Sequence, residues 1–169
     1  MAATGRGSPA RLDRGTWLVL AQFVCLAVIW LWPARPAWTL PSWVVAGCWA
    51  VIVGALALGL WGAGGLGRYL RVHPRPAQRA QLRTGGAYRF VRHPIYAAVL
   101  LGSTAGAVLA ARVEPLVGLL LLTLVLHLKA GYEEGLLRAQ FGDAYAVYSS
   151  RVPRLLPGRV GHWVGRPME

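Results

Sequence analysis

Four apolar stretches constrain this chain more than any other feature. They run from Trp17 to Trp32, from about Leu40 to Leu66, from Ile95 to Ala111, and from Pro115 to about residue 131. A helix crossing the hydrocarbon of a bilayer needs about 20 apolar residues. The second stretch is comfortably long, and the other three sit at the short end of the usable range. Only 14% of the 169 residues are charged and 56% are hydrophobic, where a soluble domain carries roughly a quarter charged. The apolar excess is gathered into blocks rather than spread through the chain. The expectation is an all-α integral membrane protein with one domain over residues 16–169, preceded by a disordered basic N-terminus over residues 1–15.

Only "PARPAWTL" separates the first two stretches and only "RVEP" the last two. Connections this short predict four transmembrane helices arranged as two antiparallel hairpins, over residues 17–32, 40–66, 95–111 and 115–131. Of the 18 lysines and arginines, only Arg35 and Arg112 lie in the short turns. The rest precede the first helix, fill the segment from Arg68 to Arg92, or follow from Lys129 onward. By the positive-inside rule both termini and the 67–94 loop face the cytoplasm, as in a bacterial inner membrane protein. The basic lead-in with Arg6, Arg11 and Arg14 also suits a signal peptide. No small-residue cleavage site follows it, and "WLWPARP" is bulky instead, so a retained first helix is expected.

A net charge of +12 first suggests nucleic acid as a partner. The arginines lie between apolar blocks flanked by tryptophans, which suits anionic headgroups better, and no nucleic-acid partner is expected. Cys25 and Cys48 fall inside apolar blocks without metal-ligand spacing, so they read as inert thiols and no metal is expected. The glycines of "GLWGAGGLG" follow no strand and read as close helix packing rather than a phosphate cradle. Faces of the first two helices look uniformly apolar. The oligomeric state is open.

Polar chemistry concentrates at two points. One is the start of the third helix, with Tyr88, Arg92, His93 and Tyr96; Pro94 suits the first helical turn and places His93 at or beside the N-cap. The helix from Ile95 rises only about 25 Å against a hydrocarbon core near 30 Å, so Arg92 and His93 lie at the membrane boundary. The other point is Glu133 and Glu134 at the exit of the fourth helix, which the short "RVEP" turn brings alongside. Adjacent helical residues diverge by about 100°, so one of the two glutamates is expected to face the site. Beyond them Leu137, Phe141, Tyr145 and Tyr148 recur at helical spacing. This predicts an amphipathic helix over 133–150 that lies on the membrane or folds back over the bundle, weakened at Gly142 and ended by prolines.

"LRTGGAYRFVRHPIYAAVL" resembles the Gly-x-Tyr-x-x-Val-Arg-His-Pro-x-Tyr signature of the isoprenylcysteine carboxyl methyltransferase and phospholipid methyltransferase superfamily. "EEGLLRAQFGDAYAVYSSRVPRLLP" is similar to its second signature, Glu-Glu-x-x-Leu, Phe-Gly-x-x-Tyr-x-x-Tyr and Arg-Val-Pro-Arg. The resemblance implies an integral-membrane enzyme that methylates a lipophilic substrate with S-adenosylmethionine. It implies that Tyr88, His93, Pro94, Tyr96, Glu133 and Glu134 line the cofactor pocket, with Arg92, His93 and Glu134 as the catalytic group. Ala98 stands where the family often has glycine, which affects helix contact rather than chemistry.

The residue chemistry agrees with this. Carboxylates suit the sulfonium and ammonium of the cofactor, and an arginine fork suits its carboxylate. Methyl transfer needs alignment in a dry pocket more than a metal. A carboxylate acceptor needs no base, whereas an amine or phenol needs His93 or a glutamate to take its proton. Arg151 and Arg154 read as substrate or headgroup contacts, Arg89 as an interfacial anchor, and Tyr145 and Tyr148 as interfacial packing. His127 matches no position of the signatures. Two other functions fit the same residues. A sterol-reductase-like enzyme would use NADPH, and a lipid-binding membrane protein would perform no chemistry.

Overall fold

The computed structural model describes residues 14–32, 35–67 and 82–156. Among these the chain is all helical: α1 is Arg14–Leu31, α2 Ser42–Leu66, α3 Pro94–Leu109 and α4 Val113–Arg151, with a 3-10 turn at Gly86–Arg89 before α3. The expected N-terminal arm lies outside the described residues except for Arg14 and Gly15, which already belong to α1. Half of the 67–94 loop, residues 68–81, also lies outside them. Helices α1, α2 and α4 are long and apolar enough to cross a membrane, and α3 is a shorter apolar helix of 16 residues. At 1.5 Å per residue it rises about 24 Å.

Both short connections meet at one end of the bundle. Ala37 N–H donates to the Ala111 carbonyl at 2.9 Å. Arg112 donates to the Arg35 carbonyl at 3.0 Å and grips Glu114 through Nε at 3.1 Å and Nη2 at 2.7 Å. The reversal between α3 and α4 uses Ala111 at φ +50°, a left-handed conformation unusual for a residue with a Cβ. The polar start of α3 is thereby held at the opposite end.

Connectivity does not set the packing partners. Helices α1 and α2 are chain neighbours but not a packed pair; α2 lies against α3, and α1 against α4. Helices α3 and α4 of the second expected hairpin also touch, whereas the first hairpin is joined by its connection more than by packing, and the reason is the shape of the faces. Helix α2 offers a row of glycines. A Cβ at Gly59 would lie 3.4 Å from Ala98 Cβ, and one at Gly62 would lie 3.1 Å from Pro94 and 3.2 Å from Ile95. The α2 backbone therefore approaches the start of α3 more closely than larger residues permit, as expected for helices that associate in lipid by shape rather than by hydrophobic force. Ala98 is accommodated because α2 supplies the facing glycine. Helix α1 instead places Trp30 against Gly106, and Val28 and Ile29 against Gly118. Its Cys25 and Ile29 join Ala107, Leu122 and Leu126 in the apolar core. Trp43, Trp49, Val53, Leu60, Leu120 and Leu124 are exposed on the outer faces, where hydrocarbon would solvate them.

The fourth helix corrects a second expectation. A separate amphipathic helix at 133–150 is absent, because α4 runs without interruption through residue 132 as far as Gly142. Gly131 alone does not stop a helix that has no proline near it and continues into two glutamates. At Gly142 the backbone turns to φ +52°, ψ −126°, a region open to glycine, and the last turns fold back. Leu137 and Phe141 before the bend then pack with Tyr145, Tyr148 and Val152 beyond it, and with Leu82. The helical spacing identified the buried face correctly even though the helix is broken within it.

Gly62→Val is expected to destabilise the protein by about 1–3 kcal/mol through overpacking against Pro94 and Ile95. A Cβ added at Gly64 meets nothing within 4 Å, so Gly64→Ala should be neutral or stabilising by up to about 1 kcal/mol. Thermal unfolding in detergent compares the two; equal midpoints would refute the close-approach account.

Candidate active site

Glu134 is the centre of the polar end. Its carboxylate is buried and surrounded by cations from both signatures. Arg154 forks onto it, Nε to Oε1 at 2.9 Å and Nη2 to Oε2 at 2.7 Å. His93 Nε2 lies 3.2 Å from Oε1, and Arg92 Nη2 3.5 Å from the same oxygen. Burial alone would raise the Glu134 pKa, but the hydrogen bonds from His93 and Arg154 and the Arg92 charge outweigh it and hold the group at about 2. The residue follows the apolar run that ends near residue 131 and stays ionised at any physiological pH.

Glu133 also reaches the site, which corrects the expectation that only one of the pair would. Tyr96 Oη donates to Glu133 Oε2 at 2.9 Å, and His93 Nδ1 lies 3.5 Å from that oxygen. The two glutamates do diverge along the helix. The imidazole stands between them and presents one nitrogen to each, and a neutral ring can donate to only one of the two. His93 is the N-cap residue of α3, but its side chain makes no capping hydrogen bond; the ring is turned to the carboxylates and stacks on Tyr96 with centroids 5.2 Å apart and planes 2° from parallel. Glu133 keeps 30% of its side-chain surface exposed, against 4% for Glu134. The neighbouring acids therefore differ in kind: one is saturated by cations and the other is open on one side.

Backbone contacts fix this arrangement. Arg92 N–H donates to the Pro153 carbonyl at 2.8 Å and His93 N–H to the Arg154 carbonyl at 3.1 Å. Tyr148 Oη donates to the Tyr88 carbonyl at 2.7 Å. The Arg-Val-Pro-Arg segment thus runs directly beside Arg-His-Pro. Pro94 is fully buried, wedged against Gly62. Tyr88 is buried with its ring beside Gly65, and burial together with the charge of Glu133 pushes its phenol well above the ordinary value, so it remains protonated.

Several sequence assignments shift. Arg154 is bound to Glu134, and its Nη1 lies 3.3 Å from His127 Nε2, so it is part of the ion-pair cluster and not a free headgroup contact. His127 thereby gains a partner that the signatures did not suggest. Arg151 is exposed. Arg89 is exposed and lies over the Phe90 ring at 5.1 Å, in keeping with an anchor. Tyr145 and Tyr148 are buried rather than interfacial. Two buried polar atoms, Arg92 Nε and Tyr145 Oη, make no hydrogen bond of good geometry among the described residues, and the two side chains are neighbours.

Sequence reasoning missed one pair altogether. Lys129, grouped there with the cytoplasmic cations, is buried within α4, and its ammonium donates to Gln22 Oε1 of α1 at 2.7 Å. The same ammonium lies 5.0 Å above the Tyr96 ring. The signal for it was polarity inside an apolar run: a glutamine in the first helix and a lysine before the fourth has left the membrane.

Glu133 fits the ammonium or sulfonium of S-adenosylmethionine, since it is an open carboxylate beside a neutral phenol and an imidazole. The Arg92 guanidinium, which already faces Glu134 at 3.5 Å, is of the kind that fits a carboxylate. An all-helical membrane protein with a partly buried cluster of charged side chains at one end of its apolar helices is the class that fold and site define. The chain belongs to the phospholipid methyltransferase family, whose model matches residues 41–144, within the isoprenylcysteine carboxyl methyltransferase and phospholipid methyltransferase superfamily. Membership implies methyltransferase activity on lipid-type substrates. The match spans α2, α3 and both glutamates and excludes α1 and the Arg-Val-Pro-Arg segment. None of the curated proteins compared with the chain matches it.

Glu134→Gln is expected to cost on the order of 3 kcal/mol, because Arg92 and Arg154 lose the anion that balances them. In the wild type the stability that Glu134 contributes is complete above its ordinary value of 4.5 and is lost as pH falls from there toward 2. Melting temperature measured between pH 7 and pH 3 should fall less steeply in the variant.

Proposed function

We propose that this protein transfers a methyl group from S-adenosylmethionine to a lipophilic acceptor at the cytoplasmic face of a membrane. One observation carries the proposal: two adjacent carboxylates, one saturated by arginines and one open, are bridged by His93 at the polar end of the apolar helices. Family membership supports the reaction class. When bound, the cofactor supplies an electrophilic methyl on a sulfonium.

Each residue then has a definite task. Glu133 balances a cofactor cation, held in place by the Tyr96 hydroxyl. Arg92 offers its guanidinium to a carboxylate of cofactor or acceptor. His93 closes the wall between the two acids, while Tyr88 and Pro94 pack the rim against α2. Glu134 acts through its neighbours: it orients Arg92, His93 and Arg154, and its strongly depressed pKa makes it a poor proton acceptor. For an amine or phenol acceptor the proton passes to His93 or Glu133; a carboxylate acceptor needs neither. Arg151, exposed at the end of α4, meets headgroups.

The acceptor is a lipid-type carboxylate, amine or hydroxyl. The NADPH-dependent alternative has no observation in its favour here, and the match to the methyltransferase family weighs against it.

Incubating purified protein with methyl-labelled S-adenosylmethionine and a membrane lipid extract should yield a labelled lipid. Glu133→Gln and His93→Ala should each weaken cofactor binding by about 10–100-fold, the worth of one charge-assisted contact. Binding of NADPH without binding of S-adenosylmethionine would overturn the proposal.

A further inference from the structure

We propose that Lys129, together with Gln22 of α1, is a positioning residue of the cofactor site, acting through Tyr96 on Glu133. The proposal rests on the methyltransferase reading for its ligand and on independent geometry for its residues.

Lys129 is 2% exposed and Gln22 is 9% exposed, deep between α1 and α4. An ammonium at this depth is expensive unless its protons and charge are met. Gln22 Oε1 meets one proton at 2.7 Å, and the Tyr96 ring lies 5.0 Å from the charge, within range of a cation–π contact. The ammonium sits between the Gln22 amide on α1 and the Tyr96 ring of the polar site, within reach of the Glu133 charge.

The consequence falls on Tyr96. Its ring has Lys129 near it and His93 stacked upon it, while its hydroxyl is committed to Glu133 at 2.9 Å. Glu133 also lies one helical turn after Lys129 on α4, so an ion that fixes the ring fixes the carboxylate next to its own helix position. A chain of contacts thus runs from Gln22 to Lys129, to Tyr96 and to the open carboxylate. Helix α1, which the family match does not include, is in this way linked to the cofactor site. A simpler role exists for the pair, a polar pin that only fastens α1 to α4. The two roles differ in what they do to ligand affinity.

The test is the dissociation constant for S-adenosylmethionine, measured by titration calorimetry on the purified full-length protein in detergent, with thermal unfolding alongside. Lys129→Met should weaken binding by about 10-fold, and Lys129→Arg, which keeps the charge over the ring, should recover most of the loss. Combining Lys129→Met with Tyr96→Phe should weaken binding no more than the worse single change, because both act on one chain of contacts. The side-chain hydrogen bond of Gln22 goes to Lys129 and not to a residue of the site, so Gln22→Met is the sharper variant and covers the case in which Lys129→Met does not fold. It should weaken binding about threefold or more. Unchanged affinity in a folded Gln22→Met or Lys129→Met protein, with only a lowered melting temperature, would establish the pin and overturn the positioning role while leaving the methyltransferase intact. Multiplicative effects in the double variant would also overturn it. A wild-type protein that fails to bind S-adenosylmethionine would overturn both proposals together.

Discussion

Burying the carboxylate of Glu134 at the polar end of the bundle is the commitment on which the site depends. A lone buried carboxylate would be prohibitive, and the cations that make it tolerable come from separate parts of the chain. Arg92 and His93 precede α3, while Arg154 follows the bend at Gly142. Once Arg154 forks onto Glu134, the Pro153 and Arg154 carbonyls are placed to accept from Arg92 and His93 N–H. The ion cluster and the short backbone pairing reinforce one another, and the wall containing His93 is held from two directions. Such a cluster is a specificity device more than a source of net stability, since its Coulomb energy largely offsets the desolvation of its members.

The rest of the bundle lets this commitment form in a medium that offers no hydrophobic drive between helices. Glycines on α2 bring its backbone against Pro94 and Ala98, so the start of α3 is seated by shape. Tryptophan on α1 fills the space that glycine leaves on α3 at the other end. Small residues on one face thus receive larger ones from the facing helix, and many of the remaining large apolar side chains are left for lipid. The inner faces admit very few polar groups, which is why the Lys129–Gln22 pair carries information.

The presence of four apolar helices, the location of the site and most of its residues were legible in the sequence, because block hydrophobicity, short turns and paired signatures are local signals. What escaped it depends on three-dimensional reach. Nothing in "PARPAWTL" says that α1 packs on α4 instead of α2, since that choice follows from which faces carry glycine. Arg154 looks like a headgroup contact until the bend at Gly142 returns it to Glu134. Lys129 sits at the edge of an apolar run, where a count of cytoplasmic cations absorbs it, and only the position of Gln22 shows that its side chain turns inward. The angular divergence of Glu133 and Glu134 was rightly judged, but the width of an imidazole between them was not foreseen.

That divergence also explains how one dipeptide can serve two ends. Successive helical positions point about 100° apart, so the pair cannot present two carboxylates to one ligand atom, and the chain uses the angle to divide the work. Glu134 points toward the converging signatures and gives up its lone pairs to Arg92, His93 and Arg154. Glu133 points toward Tyr96 and keeps a free side. Exchanging the two environments would bury an acid that the described residues meet with a phenol and an imidazole and no arginine, and would expose the one that holds the arginines. His93 couples them, because any movement of its ring toward one acid is a movement away from the other.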